Sequence, residues 1–278
     1  MIAFIPEGLP VCVTLSLLMI AKRMAKSRVL VKNLAVIETL SCVNVIASDK
    51  TGTLTQNKMH VGKATIGIDE FNIEHLDPDL SRSNPFKQLI VSASLCNNSH
   101  YDEDDPNPDP NSRKANGDAT DIALLRFTHK FPEYRSFSDD YSEIWEIPFN
   151  SKNKWMSKVI KPNNLEAHVS IFGDKYDSTT NLMLVKGAPD ILLRKCNKVL
   201  QKDGTESELN AEIINKVIKI QNDWSLLGQR VIVLCKRDCK EKDLLSLTIE
   251  PTCDKENFIN DCRDFCLVGM IGIIGKLY

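Results

Sequence analysis

An acidic residue at the end of an apolar run is the first group in this sequence that could do chemistry. Asp49 follows residues 43–48, which are rich in β-branched side chains, and precedes Lys50, Thr51 and Gly52. A carboxylate delivered by a buried strand can attack phosphorus and form an acyl phosphate, provided that cations and donors neutralise the transferred group. The pattern therefore predicts a nucleophilic Asp49, although the same spacing also fits a plain loop.

A second acidic residue, Glu7, lies in the apolar segment 1–20 between Pro6 and Pro10. About 20 apolar residues can span a bilayer, and the basic residues found within 22–32 are typical of a cytoplasmic end. A carboxylate in such a helix is costly, and a proline frees backbone carbonyls, so the two together can hold a cation. The segment predicts a membrane helix with a cation ligand; a buried core helix is the alternative.

The elements that must position these groups follow from hydrophobic patterning and from turn residues. Strands are predicted at residues 43–48, 60–70, 143–149, 153–160, 182–185, 231–234 and 265–274. Helices are predicted at residues 86–96, 117–129 (with Asp118 as N-cap), 188–196 and 209–226, with a helix or linker at 29–39. Strands and helices mixed over roughly two hundred residues indicate an α+β insert.

The composition excludes several classes of function. The 278 residues carry a formal net charge of −2, which argues against a dedicated nucleic-acid-binding domain. None of the nine cysteines stands at zinc-ligand spacing beside a histidine, so free thiols in a reducing compartment are predicted. The proline-rich acidic stretch 101–110 is predicted to be a solvated loop rather than a calcium site, and the sequence has no Gly-x4-Gly-Lys-Ser/Thr phosphate loop.

Residues 49–55 resemble the phosphorylation signature of P-type ATPases, Asp-Lys-Thr-Gly-Thr-Leu-Thr. The resemblance implies that ATP phosphorylates Asp49 and that Lys50 and Thr51 take part in catalysis. It also implies that Asp49 and the backbone carbonyl of Thr51 form part of a Mg²⁺ site. Residues 5–9 are similar to the Pro-Glu-Gly-Leu break in the fourth membrane helix of these pumps, which makes Glu7 the expected ligand of the transported cation.

Four further segments resemble the nucleotide-binding insert of the same family. They are, in the family's order, residues 117–121, 148–154, 186–190 and 227–230. The residues that the resemblance implies as nucleotide contacts are Asp121, Phe149, Lys154, Lys186, Gly187 and Arg230.

Four of these residues have a particular place in the family pattern. Phe149 is expected to stack on adenine, Gly187 to let the backbone approach the base, and Arg230 to reach the phosphates. Asp121 stands where the family has a glutamate that is one methylene longer. Without the resemblance, the same residues could be a core aromatic, solvated lysines and a surface arginine.

The resemblance also implies the fold class and the domains. The expected fold is α/β: a partial haloacid-dehalogenase-like (Rossmann-like) phosphorylation domain, interrupted by an α+β nucleotide-binding domain with an antiparallel sheet, and preceded by one transmembrane helix. The expected domains are the N-terminally truncated fourth transmembrane helix at 1–24, the first part of the phosphorylation domain at 25–59, the nucleotide-binding domain at 60–264, and a return strand to the phosphorylation domain at 265–278.

Among P-type pumps, residues 54–59 and 147–154 resemble the sodium/potassium and proton/potassium alpha-subunit class, including its fungal and protist relatives. Pro10 directly after Leu9 resembles the calcium pumps instead, so calcium is the alternative ion. The implied intact parent is a multi-pass membrane pump with a cytoplasmic catalytic region, driven by ATP and moving sodium, potassium or protons. Its expected partners are ATP, these ions, membrane lipid and an accessory subunit, but no nucleic acid.

The resemblance fails after Ile274, where the family continues with Asp-Pro-Pro-Arg, and this suggests a truncation at Tyr278. The sequence contains neither the Gly-Asp-Gly-x-Asn-Asp segment nor the Thr-Gly-Glu loop that dephosphorylates the enzyme. The chain as given is therefore expected to bind nucleotide without sustained hydrolysis. A stand-alone nucleotide-binding module or inactive short isoform is the alternative, and a dehalogenase-type phosphatase ranks last.

Overall fold

The computed structural model describes residues 8–49, 55–131, 139–173, 176–177, 179–240, 244 and 252–277. The chain divides into two compact units, residues 1–53 and 54–278. The α-helices are α1 (Gly8–Lys26), α2 (Ala35–Leu40), α3 (Pro78–Arg82), α4 (Asn84–Leu95), α5 (Ala119–Thr128), α6 (Leu165–Phe172), α7 (Pro189–Leu192), α8 (Ala211–Leu226) and α9 (Thr252–Asp261). The strands are β1 (Thr55–Ile66), β2 (Asp69–Asn72), β3 (His100–Tyr101), β4 (Ala115–Asn116), β5 (Tyr141–Ile147), β6 (Trp155–Pro162), β7 (Thr180–Gly187), β8 (Cys196–Leu200), β9 (Glu206–Glu208), β10 (Arg230–Lys240) and β11 (Phe265–Leu277).

The first unit contains α1 and α2. Within the described ranges, α1 is the one helix that is long and apolar enough to cross a membrane, judged by length and composition. No residue of α1 is buried, and Arg23 and Lys26 lie in its last turn, where cations favour the helix dipole. Glu7, the expected cation ligand, lies outside the described residues.

The prediction of a buried strand at residues 43–48 is wrong. Residues 43–49 have no regular secondary structure, and their side chains are exposed; Ile46 is 87% exposed. A β-branched run forms a strand only when a neighbouring strand accepts its backbone hydrogen bonds. Among the described residues no strand pairs with this segment, so Asp49 follows an irregular segment instead of a sheet strand.

The second unit is built on a nine-stranded sheet with the order β2-β1-β11-β10-β7-β6-β5; β8 pairs with β11, and β9 with β8. All of these pairings are antiparallel except that of β8 with β11, which is parallel. The antiparallel sheet expected for the insert is therefore confirmed, with one parallel pair added.

The apolar strand predicted at residues 265–274 is confirmed as β11, in the interior of this sheet. It pairs with β1 along its second half, where Val61 faces Ile273, and with β10 along most of its length. Its assignment to a phosphorylation domain stays a prediction, as do the boundaries at 59 and 264. In this structure β11 shares one sheet with β1.

Helices cover both faces of the sheet. Leu182 and Leu184 of β7 belong to one apolar cluster, together with Phe86 of α4, whereas Met183 and Val185 belong to another. The second cluster includes Trp224 of α8, which is fully buried. Alternate side chains of a strand point to opposite faces, so the strand pattern places an apolar layer on each side of the sheet.

Most other predicted elements are confirmed, with two changes at their ends. The strand predicted at 60–70 is a hairpin of β1 and β2, because Gly67 turns the chain with a φ of 56°. The helix predicted at 188–196 is only α7 followed by a short 3-10 turn, Leu193–Lys195. It ends there because Cys196 begins β8 and pairs with Phe265.

Candidate functional site

A cleft of about 520 Å³ opens in the second unit, where β6 and β10 begin and β7 ends. The first turn of α5 and the connection from β5 to β6 complete its walls. Its lining residues are Asp118, Thr120, Asp121, Phe149, Lys154, Lys186, Gly187, Ala188, Arg230, Val231 and Ile232.

The six residues predicted as nucleotide contacts all line this one cleft. They come from segments up to about a hundred residues apart in the sequence, and the register of β6, β7 and β10 brings them together. Asp49 belongs to the other unit. Lys50, Thr51 and Glu7 lie outside the described residues, so their expected roles stay predictions.

Lys186 and Asp121 form the most buried ion pair of the cleft. Lys186 Nζ lies 2.5 Å from Asp121 Oδ1, and the two side chains are only 5% and 14% exposed. The backbone N–H of Asn98 also donates to Asp121 Oδ2, at 3.3 Å. A lysine this buried needs such a partner, since an unpaired charge in the interior is strongly unfavourable. Lys186 is thus a fixed part of the cleft wall and not a solvated surface lysine.

Lys154 lies in a tight turn that ends at the cleft. Its backbone N–H donates to the carbonyl of Asn150 at 2.8 Å, and its own carbonyl accepts from Ala188 N–H at 3.0 Å. Closing this turn places Lys154 at a φ of 58°, a conformation that non-glycine residues adopt uncommonly. Its side chain is 55% exposed, with Nζ 4.0 Å from Asp190 Oδ2, so the ammonium is accessible from the cleft.

Gly187 sits where two backbones approach closely. A Cβ atom there would lie 2.5 Å from the carbonyl oxygen of Lys154 and 2.7 Å from Trp155 Cβ. Only glycine allows β7 and the start of β6 to meet at this distance. Gly187 has no side chain that could cover its backbone, and both Gly187 and Ala188 line the cleft.

Phe149 and Arg230 are both exposed in the cleft. Phe149 is 59% exposed. It is therefore not a core aromatic, and its ring has a face free for stacking. Arg230 Nη1 donates to Thr120 Oγ1 at 2.7 Å. Thr120 lies in the first turn of α5, whose N-cap Asp118 accepts from the Thr120 N–H at 2.9 Å, as the sequence predicted for Asp118.

Cys96 lies behind the cleft wall and is not a candidate nucleophile. Burial raises the pKa of its thiol to about 11, although the nearby positive charge of Lys186 acts in the opposite direction. Its Sγ donates weakly to the carbonyls of Met156 and Leu184. Because a thiolate is the reactive form of cysteine, this fully buried thiol serves packing.

The cleft combines a stacking surface with positive charge. Three cationic side chains face two carboxylates, which leaves one net positive charge among the lining residues. An exposed ring, a stretch of bare backbone and accessible cations fit a ligand that has a planar heterocycle at one end and anionic groups at the other. A nucleotide has both parts.

Sequence reasoning missed some of the lining residues. Thr120 lies inside the motif segment 117–121, but its hydrogen bond to Arg230 spans 110 positions of sequence. No local sequence pattern indicates such a contact. Val231 and Ile232 form part of the apolar surface; the predicted strand at 231–234 directly after Arg230 was the signal that could have found them.

The described residues do not assemble a metal site. In that part of the chain, no group of three or more histidine, cysteine or acidic side chains is arranged so that it could hold a metal ion. Asp49 is one exposed carboxylate, and a Mg²⁺ ion bound by protein usually takes one or two carboxylates together with substrate phosphates. Asp49 fits that pattern as a single ligand, and Mg²⁺ binding stays a proposal.

The family to which the chain is similar is consistent with a nucleotide-binding cleft. Residues 85–277 match the family model described as P-type ATPase, cytoplasmic domain N. The chain is 30% identical to the sodium/potassium-transporting ATPase subunit alpha of Hydra vulgaris and 31% identical to subunit alpha-4 of Homo sapiens, with 98% of this chain and 26% of each relative covered. It is 34% identical to calcium-transporting ATPase 1 of Schizosaccharomyces pombe, with 84% of this chain and 25% of the relative covered.

The chain therefore spans about a quarter of the length of these curated relatives. The matched family model covers more than half of the chain and contains every residue that lines the cleft. On this match, the chain belongs to the P-type ATPase family.

Proposed function

We propose that the cleft binds ATP and that the chain is the catalytic middle of an ATP-driven cation pump. The observation that carries the proposal is the convergence of the six predicted contacts on one cleft, with an exposed ring and accessible cations. The family match to a cytoplasmic domain N supports the same assignment.

In this proposal the second unit binds and orients ATP, and it breaks no bond itself. The adenine ring stacks on Phe149 and approaches the backbone at Gly187. The phosphates extend toward Lys154 and Arg230, where charge-assisted hydrogen bonds hold them. The γ-phosphoryl group would then pass to an oxygen of Asp49, with ADP leaving and an acyl phosphate remaining, in a haloacid-dehalogenase-like domain that includes Lys50, Thr51 and a Mg²⁺ ion.

The membrane part of the proposal rests on α1 and on the relatives. The helix is long and apolar enough to span a bilayer, and we propose that Glu7, near its start, binds the transported cation. The relatives' names include sodium, potassium and calcium transport; we propose a monovalent cation, with calcium as the alternative.

Retention of the chain in membranes after alkaline carbonate extraction is expected, and its full release would refute the spanning helix.

Calorimetric titration of the full chain with ATP tests the binding step. We expect saturable binding to one site that weakens about tenfold in Phe149→Ala, since stacking of a base on an aromatic ring contributes about 1–3 kcal/mol. Leu165→Ala is the matched control: it also removes a partly exposed apolar side chain, at a place outside the cleft, and should bind ATP normally. Absence of saturable binding in the unmodified chain would overturn the proposal.

The phosphoryl-transfer step needs a separate test in a pump that contains this segment. Asp49→Asn removes the nucleophilic carboxylate while conserving its shape, so acyl-phosphate formation from radiolabelled ATP should be abolished and ATP binding should persist. A phosphoenzyme of normal amount in that variant would refute the role of Asp49.

A further inference from the structure

The three cationic side chains of the cleft differ in their partners. Lys186 is held by the carboxylate of Asp121, and Lys154 faces that of Asp190. The contact of Arg230 is with a neutral group, because its Nη1 donates to the hydroxyl oxygen of Thr120 at 2.7 Å. A hydroxyl can orient a guanidinium without cancelling its charge, so Arg230 keeps its full charge available to an anionic ligand.

The hydroxyl of Thr120 is itself well fixed. Its residue lies in the first turn of α5, and its backbone N–H is bound by Asp118 Oδ2 at 2.9 Å. The next residue, Asp121, ties the same turn to β7 through Lys186. A β-branched side chain has few χ1 rotamers, so Oγ1 is presented from a backbone that is anchored on both sides.

The backbone of Arg230 is paired with Ile273 of β11, but its long side chain extends from the sheet to the surface. Arg230 is the first residue of β10, directly after Gly228 and Gln229, and it is exposed. A free arginine side chain has many accessible rotamers, and this rotamer entropy is lost when the side chain is immobilised on a ligand. A hydrogen bond present before binding reduces that loss, which is the physical basis of preorganisation.

We propose that Thr120 is a positioning residue that holds Arg230 over the cleft for the phosphates of the bound nucleotide. This inference rests on the proposed ATP binding. It adds the role of Thr120 and the part of the nucleotide, the phosphates, that this role concerns. Its consequence is selective: Thr120 strengthens binding of the phosphate chain and leaves binding of the nucleoside unchanged.

Calorimetry on the full chain with ATP, ADP and adenosine tests the proposal. Thr120→Val keeps the shape of the side chain and removes the hydroxyl, whereas Thr120→Ser keeps the hydroxyl. We expect Thr120→Val to weaken ATP and ADP binding about three- to tenfold, the range for one partly exposed hydrogen bond, with adenosine binding unchanged. Thr120→Ser should bind ATP within about twofold of the unmodified chain, a difference near thermal energy.

A double-variant measurement separates positioning from a structural role. In an Arg230→Ala background, Thr120→Val should have no further effect on ATP affinity, because its action passes through the guanidinium. The inference is overturned if Thr120→Val binds ATP normally, weakens adenosine equally, or adds its full effect to that of Arg230→Ala. If the unmodified chain binds no ATP, the proposed function itself fails and this inference falls with it.

Discussion

At the residue scale, the cleft contains two lysines whose surroundings are opposite. Lys186 and its partner Asp121 are nearly excluded from solvent, whereas Lys154 and Asp190 are each 55% exposed. The attraction between charges is screened by water in the second pair and much less so in the first. Lys186 therefore contributes to the fold as well as to the site, and Lys154 contributes mainly to the site.

This difference predicts unequal effects on stability. Asp121→Ala leaves a buried ammonium without its carboxylate and should lower the free energy of unfolding by about 3 kcal/mol. Asp190→Ala removes the partner of an exposed lysine and should lower it by less than about 1 kcal/mol. Urea unfolding of the two variants is the measurement, and equal losses would contradict the burial argument.

At the element scale, the first turn of α5 carries most of the polar organisation of the cleft. Asp118 caps the helix, Thr120 contacts Arg230, and Asp121 pairs with Lys186. A capping side chain satisfies a backbone N–H that has no partner within the helix. The cap of α5 thus fixes the turn that holds both cations in place.

Removing the capping side chain of two different helices distinguishes an effect on stability from an effect on ATP binding. Asp118→Ala and Asn210→Ala each remove the side chain that caps a helix, α5 and α8 respectively, and each should reduce the free energy of unfolding by about 1 kcal/mol. Asp118→Ala should also change ATP affinity, because it loosens the turn that holds Lys186 and Arg230 and removes one of the two cleft carboxylates. Asn210→Ala should leave ATP affinity unchanged, because Asn210 does not line the cleft. Equal changes of ATP affinity in both variants would show that the turn of α5 has no special role.

The elements also show how far sequence reasoning reaches. The apolar patterns of β7, β10 and β11 are strong enough to predict strands, and Phe149, Lys186 and Arg230, which the motif segments contain, all line the cleft. The contact between Thr120 and Arg230 depends on the register of strands far apart in sequence, which no local pattern encodes. The strand predicted at 43–48 failed for a related reason: a pattern can indicate a strand but cannot supply its neighbour.

At the scale of the whole molecule, the two units divide the proposed function between them. The second unit has apolar clusters on both faces of its sheet and contains the complete cleft. The first unit contains α1 and Asp49, which the proposal assigns to the membrane and to phosphoryl transfer. ATP binding is therefore expected to depend on the second unit alone, whichever cation the proposed pump moves.

Hydrogen–deuterium exchange of the full chain with and without saturating ATP tests this account most directly. Amide exchange reports local opening free energies along the backbone, so bound ATP should slow exchange at the residues around its site. We expect protection at the first turn of α5, at residues 149–155 and 186–188, and at the start of β10. An unchanged exchange pattern, or protection confined to segments outside this cleft, would contradict the account.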